Sequence, residues 1–333
     1  MRGLIDIASA HQPIVEVLDA QLEQVAVVFE RQLASELSAV NALCLHIEKY
    51  RGKMLRPTLV LLTGMAVRGE TDGESLTHQH RVVAAVVEMI HMATLVHDDV
   101  LDEADMRRNG ATVNHLWGNE AAVMLGDYLI SNAFHLCSTL GEPAINLALG
   151  EVTNTLCEGE LVQLHHRDDC GVDEATYLEI VRRKTASLIG ESCRLGAVLA
   201  DAPEDAAQAM QRFGEAMGIA FQIQDDLLDL MGDQRIVGKD LGKDLAKGKL
   251  TLPVTHHMSR ADQAGRGRLL RIIEQRDSKA LREELLASGA VQHCKATAEQ
   301  YVADAKHELR TLPDSPVVQL LDFLADTVVA RSH

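Results

Sequence analysis

The chain is poor in aromatic residues, which make up 3% of its 333 positions, and holds seven prolines. So few prolines leave room for long uninterrupted helices. None of the six cysteines, Cys44, Cys137, Cys157, Cys170, Cys193 and Cys294, stands in a CxxC pair. A thiol-ligated zinc site or a disulfide framework is therefore not indicated, and a reducing, cytoplasmic setting fits. Met1 to Ala10 has no secretory apolar core, and no run of 18 apolar residues is free of charge. A membrane-spanning helix is not expected. There is no Gly/Ser linker, no internal repeat and no GxxxxGK[ST] phosphate loop. Alternating strand patterns longer than four residues are missing too. The formal net charge of -17 excludes a nucleic-acid partner, which needs a basic stripe.

What the chain does have is 47% apolar residues, enough for a large core, and two short acidic segments. One is His97-Asp98-Asp99-Val100-Leu101-Asp102, followed by Arg107-Arg108. The other is Gln224-Asp225-Asp226-Leu227-Leu228-Asp229. On a helix, positions i and i+4 lie on one face, so each segment crowds carboxylates that repel one another. Bound cations explain such crowding most simply. Basic residues gather in islands: Lys53 with Arg56, Arg107 with Arg108, Arg182 to Lys184, and Lys239 to Lys249. Islands of this kind in an acidic protein suit a small anionic substrate.

Periodicity predicts helices over Val17–Ala39 and Asn41–Tyr50, then a break at Arg51-Gly52-Lys53. Pro57 suits the first turn of the next helix, which runs to about Met65. A loop over Glu70–Thr77 precedes a long helix, Gln79–Leu101, with Asp98 to Asp102 at its C-terminal end. Carboxylates there oppose the helix dipole, so stability is not their purpose. Further helices are expected over Glu120–Cys137, Glu142–Gln163, Asp173–Leu199 with Asp173 as N-cap, and Glu204–Leu230. Gly232–Gly248, with four glycines and four basic residues, reads as a mobile basic loop. Helices resume near Leu252 and continue over Arg266–Glu274, Lys279–Ala287, Val291–Arg310 and Pro316–Ala330. The fold class is all-α: a single helical catalytic domain over 1–333, built as a large bundle of ten or more helices.

Carboxylate oxygens favour hard cations, and Mg²⁺ commonly bridges aspartates to substrate phosphates. Zinc would require a compact His/Cys set, and His91 and His97 share no ligand face with a cysteine. Two acidic clusters flanked by basic islands describe a diphosphate cradle, in which cations make diphosphate a better leaving group. No Ser-His-Asp order, nucleophile elbow or paired catalytic base is visible.

These segments resemble the all-trans polyprenyl diphosphate synthases, the chain-elongating isoprenyl transferases, and the likeness covers nearly the whole chain. It rests on Gly52-Lys53-Met54-Leu55-Arg56-Pro57, the two DDxxD segments, Arg107-Arg108, Gly126-Asp127 and Lys184-Thr185. Phe221-Gln222-Ile223-Gln224, Gly238-Lys239-Asp240 and Thr251-Leu252-Pro253 complete the set. One DDxxD is weak; two in this order with these flanks are specific. Leu250 stands where many relatives carry proline, and Met54 where many carry a polar or basic residue.

The resemblance implies the isoprenyl diphosphate synthase fold and assigns roles. Asp98, Asp102 and Asp225, supported by Asp99, Asp226 and Asp229, would hold three Mg²⁺ on an allylic diphosphate. Arg107, Lys184 and Lys239 would contact the same diphosphate, joined by Lys249 on loop closure. Lys53, Arg56, His91 and Arg108 would bind isopentenyl diphosphate, and Thr185 and Gln222 would face the developing allylic cation. The proton lost after condensation would go to the released diphosphate, which accounts for the inconspicuous base. A homodimer that works alone is implied, with transient membrane contact when the lipid product leaves.

Product length follows from the residues before Asp98. Ala93 and Thr94, one turn back, are small and leave a tail cavity open, with Ile90, Val86 and Val87 further down and Val123 and Met124 on a neighbouring helix. Scarce aromatics argue against an early plug, which points to a product of C20 or longer. Two other readings share these elements: an ionising terpene or head-to-head synthase, and a non-catalytic subunit of a heteromeric synthase. The first generally lacks the Gly52–Pro57 segment, and the second tends to lose an acidic cluster or the basic residues.

Overall fold

A computed structural model describes residues 11–50, 52–108, 110–231 and 242–330. The fold is all-α, as the periodicity predicts. In chain order the helices are α1 (Gln12–Leu33), α2 (Ser38–Ile47), α3 (Leu55–Arg68), α4 (His78–Leu101), α5 (Val113–Trp117), α6 (Asn119–Ser138) and α7 (Pro143–His165). Then come α8 (Glu174–Val181), α9 (Ser187–Leu199), α10 (Glu204–Met231), α11 (Lys243–Ala246) and α12 (Leu252–Arg260). The last are α13 (Gln263–Glu274), α14 (Ser278–Ala287), α15 (Ala290–Glu308) and α16 (Pro316–Ala330). The described strands are β1 (Met106–Arg107) and β2 (Gly110–Ala111), antiparallel with Met106 opposite Ala111.

Four local expectations need correction. The first helix starts at Gln12, with Pro13 in its first turn, and stops at Leu33. The tiny hairpin and α5 were not foreseen, because elements of two to five residues have no measurable period. The segment read as one helix, Asp173–Leu199, contains a π-helical turn over Arg182–Ala186 between α8 and α9. The later part of the expected basic loop includes a short helix, α11. It is fixed because Gly242 N donates to Asp229 O (3.1 Å) and Arg276 Nη1 donates to the Leu245 and Ala246 carbonyls (2.6 Å each). Asp173 does cap its helix, its carboxylate accepting from Thr176 N at 2.8 Å.

Two compact units are distinguished. Unit 1 comprises Met1–Thr153, Glu191–Gln211 and Arg310–Leu321. Its centre is α4, packed by α1, α3 and α6. Every residue from Val82 to Ile90 is buried, as a helix apolar on all sides requires. At the start of α4, the Thr77 amide donates to His80 Nδ1 (3.2 Å), which leaves Nε2 to donate to the Gly196 carbonyl (3.2 Å). Burial holds this neutral histidine down at a pKa of about 4.

Unit 2 comprises Asn154–Gly190, Arg212–Leu309 and Asp322–His333. Its core joins Tyr177 and Val181 of α8, Ile219, Ile223 and Leu227 of α10, Leu252 of α12, Leu285 of α14 and Cys294 of α15. Glycines admit the π turn: a Cβ at Gly159 would lie 2.7 Å from Lys184 N, and one at Gly218 2.7 Å from Ala186 Cα. Among the described residues no helix is long and apolar enough to cross a membrane.

Candidate active site

In unit 1, the first acidic cluster ends α4, whose last turn holds no basic residue. Asp98 and Asp102 are half-buried, whereas Asp99 is 1% exposed. The reason is the helix phase: Asp99 points inward, where Arg107 Nε bonds both its oxygens (2.9 and 3.0 Å) and Arg107 Nη2 approaches Oδ1 at 2.8 Å. The Tyr50 hydroxyl also bonds Asp99 and accepts from Val113 N at 3.0 Å. Burial beside this carboxylate pushes the Tyr50 phenol up to about 12.

Around that junction sit the basic residues. Arg108 occupies the left-handed region at φ 48° and donates to the Tyr50 carbonyl. A Cβ at Gly52 would run into the Arg108 guanidinium, so the glycine leaves room for that group where it now lies. Burial and the Arg108 charge bring Arg56 down to about 10, with buried Glu88 acting the other way. His91 is held well below the ordinary imidazole range by burial, then by Arg56, Arg108 and Arg107. Three guanidinium charges thus disfavour protonation of this imidazole. Lys53 is exposed. Gly126 clears space for His97, whose Nε2 lies 3.2 Å from the Val123 carbonyl.

In unit 2 the second cluster lies in the last turns of α10, again with no base in the final turn. Asp225 is exposed, Asp229 half-buried and Asp226 7% exposed. The Tyr177 hydroxyl donates to Asp226 Oδ2 (2.6 Å) and Gln222 Nε2 to Oδ1 (2.7 Å). Thr185 Oγ1 extends the chain by donating to Gln222 Oε1 at 3.0 Å. Lys184, in the π turn, pairs with Glu160 and donates to Gln163 Oε1 at 2.9 Å. A cavity of about 210 Å³ is lined by Asp226, Asp229, Asp244, Lys249, Thr251 and Arg282, among others. Lys239 lies outside the described residues.

Asp226 tests whether a cation belongs here. Its hydrogen-bond partners are neutral, and burial followed by the Asp244 charge drives its carboxyl well above the usual range. A hard divalent cation among these oxygens would relieve that charge, and Mg²⁺ fits the donor set.

Of the chain-length candidates, Ala93 and Ile90 are fully buried in α4, and Thr94 is half-buried, its hydroxyl donating to the His91 carbonyl at 2.7 Å. Val123 and Met124 are exposed, which is at odds with a role as cavity wall within this chain. Residues that the spacing did not reveal are Tyr50, Glu88, Tyr177 and Asp244. Only Glu88 left a trace, as a lone charge inside the apolar run Val86 to Ile90.

Comparison with known proteins identifies the fold and the family. The fold, with an acidic cluster closing each of two long helices, is that of the helical prenyltransferases. Polyprenyl synthetase is the description of the family profile that matches residues 38–287, and the chain belongs to that family. It is 35% identical to the octaprenyl diphosphate synthase of Escherichia coli K12 over 306 residues, 91% of this chain and 93% of the relative. The crystal structure of a decaprenyl diphosphate synthase from Rhodobacter capsulatus superposes with a TM-score of 0.89 at 35% identity, covering 97% of this chain and 99% of that one. A polyprenyl synthase from Caulobacter crescentus CB15, crystallised with calcium and isoprenyl diphosphate, gives 0.88 at 30% identity, covering 97% and 98%.

Proposed function

We propose that this chain is a Mg²⁺-dependent trans-prenyltransferase. It condenses an allylic diphosphate with isopentenyl diphosphate head-to-tail and releases an all-trans polyprenyl diphosphate of C20 or longer. The observation that carries this reading is the basic set at the first acidic cluster: Arg107 pairs with Asp99, Arg108 donates to the Tyr50 carbonyl, and the Tyr50 hydroxyl bonds Asp99. Guanidinium forks match diphosphate oxygens, and a low-dielectric setting strengthens each contact.

Three Mg²⁺, held by Asp98, Asp99, Asp102, Asp225, Asp226 and Asp229, would neutralise the allylic diphosphate and assist its departure. Arg107, Lys184, Lys239 and Lys249 bind the leaving diphosphate; Lys53, Arg56, His91 and Arg108 orient isopentenyl diphosphate. Thr185 and Gln222 present oxygens toward the developing cation, and their hydrogen bond to each other and to Asp226 fixes their direction. Ile90, Ala93 and Thr94 set how far the tail extends. The chain works as one catalytic domain in a cytoplasmic homodimer and touches a membrane only at product release.

Incubation of the purified chain with farnesyl and isopentenyl diphosphates and Mg²⁺, followed by product sizing, tests the proposal. Diphosphate release with a product of C20 or longer is expected. No release from either substrate would refute the transferase reading, and a C15 ceiling would refute the length assignment.

A further inference from the structure

Glu174, His256 and His293 stand apart from the residues used above. They come from α8, α12 and α15 of unit 2, and all are half-buried. Glu174 Oε1 accepts from His293 Nε2 at 3.0 Å, and Oε2 lies 3.4 Å from His256 Nδ1. The two imidazoles stack with centroids 3.7 Å apart and planes inclined by 15°. One ligand atom from each residue lies within 4.8 Å of the other two.

We propose that Glu174, His256 and His293 form a binding site for a first-row transition-metal ion of the zinc class. Two imidazole nitrogens and one carboxylate are the donors zinc prefers, and they are poor donors for Mg²⁺, which demands oxygen. Zinc bonds of about 2.1 Å in a tetrahedron put donors roughly 3.4 Å apart. The observed carboxylate-to-imidazole separations, 3.0 Å to one Glu174 oxygen and 3.4 Å to the other, lie at or just below that spacing, and one ring turns out of the stack so that both nitrogen lone pairs meet at the ion. Three protein ligands leave the fourth position to water.

The ion braces three helices that this cluster otherwise joins through hydrogen bonds. One of them matters to the reaction. Glu174 opens α8, and Tyr177, three residues on, donates to Asp226 at 2.6 Å. Fixing the first turn of α8 fixes the tyrosine that orients the second acidic cluster. Zinc acts here as a structural clamp and does not replace the cation at the carboxylates.

The test uses the full-length chain, stripped with chelator, dialysed, and supplied with saturating Mg²⁺ so that the acidic clusters are occupied. Calorimetric titration with Zn²⁺ is expected to give a single equivalent per chain, and Co²⁺ to give the intense visible bands of tetrahedral coordination. His293→Gln keeps a side chain able to bond Glu174, and His256→Gln does the same at the other ring. Each should weaken Zn²⁺ binding by at least about tenfold, abolish the Co²⁺ bands and remove the Zn²⁺-dependent rise in Tm. Unaltered circular dichroism shows that these variants fold. The proposal fails if the wild-type chain takes up no Zn²⁺ under Mg²⁺. It fails equally if both histidine variants bind as the wild type does, or if Asp225→Ala, rather than they, removes the binding.

Discussion

The two acidic clusters share a sequence pattern and a place at the end of a long helix, yet they are neutralised differently. In each the middle aspartate, Asp99 or Asp226, turns inward and meets a tyrosine, while its neighbours Asp98 and Asp225 stay nearer the solvent. Asp99 is balanced by the guanidinium of Arg107. Among the described residues, Asp226 bonds the neutral groups of Tyr177 and Gln222 and has a further carboxylate, Asp244, nearby. A DDxxD segment is therefore not one electrostatic object. Among the described residues, the middle aspartate of the first cluster meets a guanidinium and that of the second meets neutral donors.

The sharpest way to break this comparison is to remove one outer carboxylate from each cluster. Asp98→Ala and Asp225→Ala should each lower prenyl transfer by roughly 10³-fold or more, with helicity unchanged. Turnover is read by incorporation of labelled isopentenyl diphosphate; full activity in either variant would remove that cluster from the reaction.

The middle positions separate the clusters by stability. Asp99→Asn strands the Arg107 charge and should cost about 3 kcal/mol. Asp226→Asn removes a buried carboxyl whose described partners are neutral, so in Mg²⁺-free buffer it should leave stability equal or higher. Urea melts with and without Mg²⁺ check both, and equal losses at the two sites would erase the distinction. Mg²⁺ should raise the wild-type melting point and do less for Asp226→Asn.

Ala93→Phe tests the helix that carries the first cluster. Ala93 is fully buried, so the ring overpacks its surroundings by about 1–3 kcal/mol. The principal product should shorten, as read by chromatography of the dephosphorylated polyprenols. An unchanged length would mean the tail does not pass Ala93.

A further effect concerns pH. His80 is neutral when folded, with its pKa lowered to about 4. The unfolded chain binds that proton from about pH 6.5 downward, so stability present above pH 6.5 is lost as pH falls toward 4. Stability by urea melts should fall by about 3 kcal/mol over that window, and by less in His80→Gln. An identical slope in the variant would assign the loss to carboxylates instead.

Much of the fold was legible because it is periodic. The long apolar rhythm of Gln79–Leu101 is α4 almost to the residue, and Asp173 caps α8 as a short polar side chain before an apolar run should. The hairpin at Met106–Ala111 was not legible, since two-residue strands have no rhythm and the positive φ that its tight turn requires falls on Arg108, not on a glycine. The π turn at Arg182–Ala186 was hidden for another reason. The glycines that leave room for it, Gly159 and Gly218, are distant in sequence from Lys184.

The residues alone settled the helical class, the acidic pairs and the basic islands, because spacing along a helix fixes which groups share a face. Only the packed chain decided which aspartate of each pair turns inward, and that Arg107 answers Asp99 while Tyr177 and Gln222 bond Asp226. Burial and partnership are set by helices brought together from far apart in the chain, and no local pattern encodes which charge will meet which.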